Sequence, residues 1–269
     1  MNVSKAIKVV RLTDKGLVRD QNEDAVASDL NTGLLVLADG MGGYRAGEIA
    51  SEIAVLTLTA EISAMADIPS KSDQHFGHTM PESQALINAV KIANAAIFKV
   101  SKQEQSCAGM GTTLVAAIFA NNKLSVGHIG DSRMYRLRAG RLKLLTQDHS
   151  ILQEQLSTGL ITPQQAKLAT NKNLVTRALG VDEQVELELN EFNVKVHDLY
   201  LLCSDGLSDF VDDDEILKIL IDTDGNMNLA AFLLIKAANE QGGLDNSSVV
   251  IAVVNKKFAL KKSWIKKFF

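Results

Sequence analysis

Four aspartates stand at the ends of apolar stretches that are typical of buried strands. Asp39 ends LLVLADG, Asp131 follows VGHIG, Asp205 ends YLLCSDG and Asp245 precedes SSVVIAVV. A single strand followed by Asp-Gly is most often a turn. Four such aspartates are harder to explain as turns, because aspartate is rarely buried unless it is paired or binds a metal. The pattern therefore favours a site built from carboxylates.

Further acids near the start of the chain favour a hard divalent cation. In VRDQNEDA, the adjacent Glu23 and Asp24 follow Arg19. Carboxylate oxygens suit Mg²⁺ or Mn²⁺, whereas Zn²⁺ prefers Cys and His, and the chain offers no matching set of these. His75 and His78 stand in a polar stretch without nearby cysteines, so we interpret them as loop histidines.

The glycine-rich segment ADGMGGYRAGE, residues 38–48, raises the question of nucleotide binding. A Rossmann fingerprint that starts at Gly40 needs a glycine where Arg45 stands. A P-loop that starts at Gly42 needs a lysine where Glu48 stands, and this carboxylate would repel a triphosphate. Both nucleotide motifs fail at a residue that carries their mechanism.

The elements that must position these residues change in character along the chain. Apolar periodicity predicts helices and strands, and a Gln-, Thr- and Asn-rich segment at about 150–180 predicts a partly helical surface flap. The expected helices are 48–66, 82–103, 213–221 and 228–241, and the expected strands are 34–40, 185–190, 198–206 and 247–254, with short β-prone runs between 112 and 146 and a hairpin turn at Ala139-Gly140. Most strands join by short turns and the helices fall in blocks, which favours an α+β fold with antiparallel sheets.

Composition and charge exclude several classes of protein. The 269 residues are 46% hydrophobic with a net charge of −4, which permits a sizeable core and gives no sign of a nucleic-acid partner. Cys107 and Cys203 are too few for a disulfide framework, so we expect core thiols in a cytoplasmic protein. Met1–Val10 is too mixed for a signal peptide, and no run reaches the roughly 18 apolar residues of a membrane span.

Six short motifs follow one another in a fixed order along the chain. They are R-x-x-N-E-D at 19–24, A-D-G-M-G-G at 38–43, G-x-G-T-T at 109–113, G-D-S-R at 130–133, S-D-G at 204–206 and D-N-S at 245–247. Together they resemble the metal-dependent Ser/Thr protein phosphatases of the 2C type. Each motif alone is weak, but six in this order argue against chance. The resemblance spans about residues 8–254, and the D-G-M-G-G form resembles the bacterial branch.

The resemblance implies a four-layer α/β/β/α sandwich with two central antiparallel β-sheets and Mg²⁺ or Mn²⁺ at one end. Asp39 would bridge two ions, the carbonyl of Gly40 would complete one site, and Asp205 and Asp245 would complete the other. Asp131, with Asp205, resembles the residues that hold a third, weaker metal in bacterial members.

The resemblance also implies the reaction. Arg19 would bind the substrate phosphate, while Glu23 and Asp24 would bind waters held by the metals. A metal-activated water would hydrolyse phosphoserine or phosphothreonine on proteins, opposing a bacterial Ser/Thr kinase. One alternative is a silent pseudophosphatase that binds phosphoproteins, although such a protein would usually have lost an aspartate. A phosphatase of small phosphate esters also stays open.

Met41 marks a departure from the eukaryotic branch of this family. Eukaryotic members place a histidine directly after this Asp-Gly, where it can protonate the leaving alkoxide. A thioether cannot donate a proton, so we hypothesise that a metal-bound or ordered water is the acid. Elsewhere we interpret His128 as a packing residue and His149 as a structural hydrogen-bonding residue, and Arg177 as either a phosphate ligand or an anchor of the flap.

The chain is expected to form one catalytic domain, residues 1–255, with a basic amphipathic tail at 256–269. The tail from Asn255 onward contains six lysines among large hydrophobic residues. It is either a segment that touches an anionic membrane or a partner, or a frayed end or helix packed on the domain. We expect a monomer that meets phosphorylated proteins and a cognate kinase.

Overall fold

The computed structural model describes residues 3–43, 45–66, 80–167 and 174–259, and its strands form two antiparallel sheets. The strands are β1 Ile7–Asp14, β2 Asp24–Asp29, β3 Leu34–Met41, β4 Gly111–Thr112, β5 Leu114–Ala120, β6 Lys123–Ile129, β7 Arg133–Arg138, β8 Arg141–Leu144, β9 Glu188–Asn193, β10 Leu199–Cys203 and β11 Ser247–Val254. Sheet A has the order β1-β11-β10-β7-β8. Sheet B has the order β2-β3-β5-β6-β9, and β4 pairs with β3.

Helices cover the outer faces of both sheets. They are α1 Ala46–Ala66, α2 Pro81–Gln103, α3 Ile151–Ser157, α4 Pro163–Lys167, α5 Asp205–Ser208, α6 Asp213–Asp222 and α7 Met227–Glu240, with single 3-10 turns at Val3–Lys5 and Gln105–Cys107. Among the helices of the described ranges, none combines the length and the apolar character needed to cross a membrane.

Alternate residues of β3 show how the four layers are held together. Leu35 and Leu37 face a core between the two sheets, which also contains Tyr200 and Val250 of sheet A. Their neighbours Leu34, Val36 and Ala38 face a second core against α1 and α2. A third core joins sheet A to α6 and α7. The period of two along a strand thus produces the predicted α/β/β/α sandwich, which is confirmed.

Most predicted elements occur within two residues of their expected bounds. The hairpin turn between β7 and β8 is confirmed, with positive φ angles at Ala139 (49°) and Gly140 (73°), as tight hairpins with right-handed strand twist require. The strand predicted at 185–190 is wrong in position, because β9 begins at Glu188, where its ladder with β6 starts. The strand predicted at 198–206 stops at Cys203, because Asp205 begins α5.

The flap, residues 150–180, is partly helical as expected, and part of it lies outside the described residues. It contains α3 and α4. The isolated bridge Thr112↔Leu179 joins it to the body, and the bridge Ser150↔Val175 joins its beginning to its later part. Both cysteines are buried and unpaired.

The predicted polar loop at 67–79, with His75 and His78, lies outside the described residues, as do positions 260–269 of the tail. The described start of the tail packs on the body. Phe258 is buried against Phe119 in the core between the sheets, and its backbone N–H donates to Asn122 Oδ1 at 2.7 Å.

Candidate metal centre and active site

Both sheets bring the predicted acids to one end of the sandwich. Asp24 begins β2 and lies directly opposite Asp39, near the end of β3. Asp131 follows β6, Asp205 is the first residue of α5, and Asp245 precedes β11. Sheet B therefore supplies three of these carboxylates and sheet A supplies two.

All of these aspartates except Asp24 border a cavity of about 400 Å³. Its lining includes Arg19, Glu23, Asp39, Gly40, Met41, Thr113, Asp131, Leu174, Val175, Asp205, Asp245 and Asn246. Asp24 lies behind Asp39, outside this lining, and its Oδ2 accepts a hydrogen bond from Ser204 Oγ at 2.9 Å. The cavity thus combines carboxylates on its floor with one guanidinium and the apolar edge of the flap.

The backbone of Asp39 is held by the two threonines of the G-x-G-T-T motif. The Asp39 carbonyl accepts hydrogen bonds from the N–H of Thr113 and the hydroxyl of Thr112, both at 2.8 Å. The N–H of Asp39 donates to Thr113 Oγ1 at 3.1 Å. Three hydrogen bonds fix the peptide on either side of the central carboxylate, which explains the place of this motif in the sequence.

Two glycines allow the start of α1 to approach β3 and Glu23. A β-carbon on Gly40 would overlap the carbonyl of Gly47, and one on Gly47 would lie 2.7 Å from Glu23 Cδ. The N–H of Gly40 also donates to the carbonyl of Glu23 at 3.1 Å. The glycine-rich segment therefore serves close packing around the carboxylates.

The electrostatics of this site call for a counter-charge. Burial of its carboxyl group, together with repulsion from Asp24 and Asp205, raises the pKa of Asp39 well above its ordinary value. Burial, and then the charge of Asp131, does the same to the pKa of Asp205. Burial raises the pKa of both Asp24 and Asp131 to about 6. Adjacent carboxylates in such a site are stabilised by protons or by cations.

Two buried oxygens at this site have no hydrogen-bond partner, namely Glu23 Oε1 and Asp24 Oδ1. Burial also raises the pKa of Glu23, while the charge of Arg19 and the N–H of Gly47 oppose that rise. Unpartnered buried carboxylate oxygens are costly, and hard divalent cations with their waters satisfy them. The residues present therefore fit the metals that the sequence predicted.

Arg19 and Asn246 organise the rim next to Asp245. Arg19 Nη2 lies 2.7 Å from Asp245 Oδ2, and its half-exposed side chain borders the cavity. Asn246 accepts from the N–H of Glu23 at 2.8 Å and donates to the carbonyls of Lys15 and Gln21, both at 2.9 Å. Sequence reasoning missed this role of Asn246, although its place in the D-N-S motif was a signal.

Residues beside Asp131 are structural in this arrangement. Arg133 forms a two-pronged ion pair with Asp148, with Nη2 to Oδ2 at 2.6 Å and Nε to Oδ1 at 3.0 Å. His128 is buried and stacks on His149 at 4.7 Å between ring centroids, so the packing interpretation is confirmed. His149 accepts the N–H of Gly130 at 3.2 Å, which confirms the expected structural hydrogen bond.

A family model described as Protein phosphatase 2C matches residues 17–231. The chain belongs to the protein phosphatase 2C family. Within this phosphatase 2C chain, the exposed Arg177 lies outside the described cavity lining, to which the flap contributes Leu174 and Val175.

The phosphatase 2C chain is similar to named bacterial proteins. It is 40% identical over 252 residues to the serine/threonine protein phosphatase PstP of Mycobacterium tuberculosis, covering 94% of this chain and 46% of PstP, so it spans about half of that relative. It is 33% identical to the protein phosphatase PhpP of Streptococcus pneumoniae, covering 94% of this chain and all of PhpP. A crystal structure of the PstP catalytic domain with two manganese ions has a TM-score of 0.80 at 39% identity, covering 93% and 99% of the two chains.

Proposed function

We propose that this chain hydrolyses phosphoserine and phosphothreonine on proteins at a centre of two Mg²⁺ or Mn²⁺ ions, with a third, weaker ion beside it. The observation that carries the proposal is the meeting of Asp39, Asp131, Asp205 and Asp245 in one cavity with Arg19. The two manganese ions of the PstP catalytic domain, a relative of the same fold, support the choice of metal.

Each predicted residue has a role consistent with its place. Asp39 would hold two ions, with the Gly40 carbonyl on one and Asp205 and Asp245 on the other, and Asp131 would hold the third with Asp205. When bound, these ions supply positive charge and lower the pKa of a bound water to near neutrality. Glu23 and Asp24 lie where they would orient metal-held waters.

Arg19 is the group that we assign to the substrate phosphate. Its guanidinium lies at the rim of the cavity and is held toward the site by Asp245. A planar guanidinium donates two parallel hydrogen bonds to a phosphate, which fixes the ester relative to the carboxylates. Leu174 and Val175 form the apolar edge of the flap and would limit the entry of bulk water there.

The alternatives are less well supported by this site. A pseudophosphatase would usually lack one of the acids, whereas all four strand-end aspartates are present and come together. We further propose that the substrates are phosphoproteins made by a bacterial Ser/Thr kinase in the cytoplasm, where the two free cysteines stay reduced.

Hydrolysis of a phosphothreonine peptide tests the proposal. We expect turnover with Mn²⁺, loss of turnover with EDTA, and a fall of about 100-fold or more in Asp39→Asn. Asp222→Asn, at an exposed position at the end of α6, is the matched control and should keep full activity. Turnover that survives chelation would refute the metal mechanism. A preference for p-nitrophenyl phosphate over every phosphopeptide would favour small esters.

A further inference from the structure

His149 lies outside the cavity but contacts the peptide next to Asp131 twice. Its backbone N–H donates to the carbonyl of Gly130 at 2.9 Å, and its ring Nδ1 accepts the N–H of Gly130 at 3.2 Å. Both hydrogen-bonding groups of Gly130 are thus engaged by one residue. Gly130 has a φ of +98°, a conformation that glycine adopts readily and other residues rarely, and Asp131 follows it directly.

The hydrogen bonds also settle which ring nitrogen carries the proton. Because Nδ1 of His149 accepts an N–H, its Nε2 carries the proton and donates to Glu188 Oε2 at 3.3 Å. Nε2 of His128 contacts both the carbonyl of Gln147, at 2.7 Å, and the N–H of the same residue, at 3.3 Å. Because the carbonyl is the closer group and can only accept, Nε2 carries the proton and donates to it. The side chains of His128, His149 and Glu188 are close enough to be considered as ligands of one metal ion. Both Nε2 atoms carry protons, however, so neither offers a lone pair to a metal. The cluster is therefore a hydrogen-bond network.

The same residue holds the edge of the flap. The carbonyl of His149 accepts the N–H of Thr176 at 2.8 Å, and the next residue, Ser150, bridges Val175. The N–H of Ile151 then donates to the carbonyl of Leu174 at 3.0 Å. Leu174 and Val175 line the cavity. His149 thus stands between the Asp131 peptide on one side and the flap wall on the other.

We propose that His149 is a positioning residue, whose neutral ring sets the Gly130–Asp131 peptide and whose backbone fixes the flap edge over the same cavity. The proposal deepens the proposed function, on which its catalytic part rests. The ring acceptor at Nδ1 is the essential feature, since it is the contact that the side chain itself makes with Gly130. The Nε2 donor to Glu188 serves to keep the ring in that tautomer and orientation.

Two substitutions of similar size separate the two ring nitrogens. Asparagine places an oxygen close to the position of Nδ1, so His149→Asn keeps an acceptor for Gly130 and loses the donor to Glu188. Glutamine reaches the position of Nε2, so His149→Gln keeps the distal contact and loses the acceptor. A role confined to filling space would make the two variants alike.

The first measurement is hydrogen–deuterium exchange of the Gly130 amide in metal-free protein. We expect it to be about tenfold faster or more in His149→Gln and within about threefold of the wild type in His149→Asn, because only glutamine removes the acceptor. This readout needs neither metal nor turnover. An inactive wild-type protein would therefore defeat the proposed function while the positioning of Gly130 is still measured.

The second measurement is phosphothreonine peptide hydrolysis over a range of Mn²⁺ concentrations. For His149→Gln we expect kcat to fall about tenfold or more, with a rise in the Mn²⁺ concentration for half-maximal activity and little change in KM. For His149→Asn, we expect kcat and the Mn²⁺ concentration for half-maximal activity to stay within about threefold of the wild type. The proposal is overturned if the asparagine variant falls as far as the glutamine variant, if both fail to fold, or if Gly130 exchange is the same in all three proteins.

Discussion

Met41 lines the cavity beside Gly40, at the position where the resemblance places the histidine of eukaryotic members. Its thioether cannot donate a proton, whereas an imidazole donates one near neutral pH. We therefore expect Met41→His to raise kcat on a phosphothreonine peptide by about tenfold or more, with a new ionisation near neutral pH. The pH dependence of kcat with Mn²⁺ is the measurement.

Met41→Leu is the matched control, because it changes the side chain without adding a donor. Its pH profile should follow that of the wild type. An unchanged profile in Met41→His would show that protonation of the leaving group does not limit the rate.

Arg19 is the subject of a second prediction, because it contacts Asp245 and borders the cavity. Replacing it by alanine should lower kcat/KM about tenfold or more, because the phosphate loses a two-pronged donor. Its side chain is 51% exposed, so the free energy of unfolding should change by less than about 1 kcal/mol. Steady-state kinetics and urea unfolding measure the two effects.

Arg19→Lys sharpens the test, because lysine keeps the charge without the planar fork. We expect an activity between those of the wild type and the alanine variant. If Mn²⁺ binding weakens as strongly as kcat/KM in Arg19→Ala, the residue serves the metals through Asp245 and the phosphate assignment is wrong.

At the scale of elements, the carboxyl end of the flap is fastened to α2 by Gly180. Its N–H donates to Asn94 Oδ1 at 2.8 Å, its φ is +83°, and a β-carbon there would overlap the side chain of Ile97. Gly180→Ala combines backbone strain with overpacking and should lower the free energy of unfolding by about 2–4 kcal/mol in urea.

Gly140→Ala is the control for the backbone part alone. Gly140 also has a positive φ, +73°, but a β-carbon there meets no atom within 4 Å. Gly140→Ala should lower the free energy of unfolding by about 1–2 kcal/mol. Equal losses in the two variants would mean that the contact with Ile97 contributes nothing to the attachment of the flap.

Elements with a strong internal pattern were predictable from the sequence, and elements defined by their partners were not. The apolar run of β3 and the helical spacing of α2 carry their own signals. Strand β2, DAVASD, has no fully buried residue, and it exists because it pairs with β3. The alternation in VELELN predicted a strand three residues early, since only the ladder with β6 sets where β9 begins.

The residues of the candidate site differ in the same way in how far they could be predicted. The strand-end aspartates could be recognised from their type and position, and the order of the motifs indicated their family from the sequence alone. The residues that support them could not be recognised, because their role depends on contacts with distant parts of the chain. Asn246 reaches the carbonyls of Lys15 and Gln21, and His149 reaches Gly130, over separations that no local pattern records.

At the scale of the whole molecule, the carboxylates lower the stability of the metal-free fold at neutral pH. The pKa of Asp24 is raised from 3.8 to about 6. Because the folded-state pKa lies above the unfolded one, the folded protein binds the extra proton as pH falls through about 6, and its stability rises there. At pH 7.5 the charged form makes the fold less stable.

Asp24→Asn should therefore stabilise the metal-free protein at pH 7.5 by about 1–3 kcal/mol, and by about half as much at pH 5. Asparagine keeps an oxygen for the bond from Ser204 Oγ. Urea unfolding in EDTA at the two pH values is the measurement. An advantage that stays constant, or grows toward acid pH, would contradict the role of this charge. With Mn²⁺ the order should reverse, because the wild-type acid then has its counter-charge.

The division of the acids between the sheets has a mechanical consequence. Asp39 belongs to sheet B, whereas Asp205 and Asp245 belong to the connections of sheet A, and the two layers pack on each other through side chains such as Leu37 and Tyr200. Cations shared by these acids would link one half of the sandwich to the other. The two cysteines are both buried and unpaired, so the cations would serve as cross-links that can be removed.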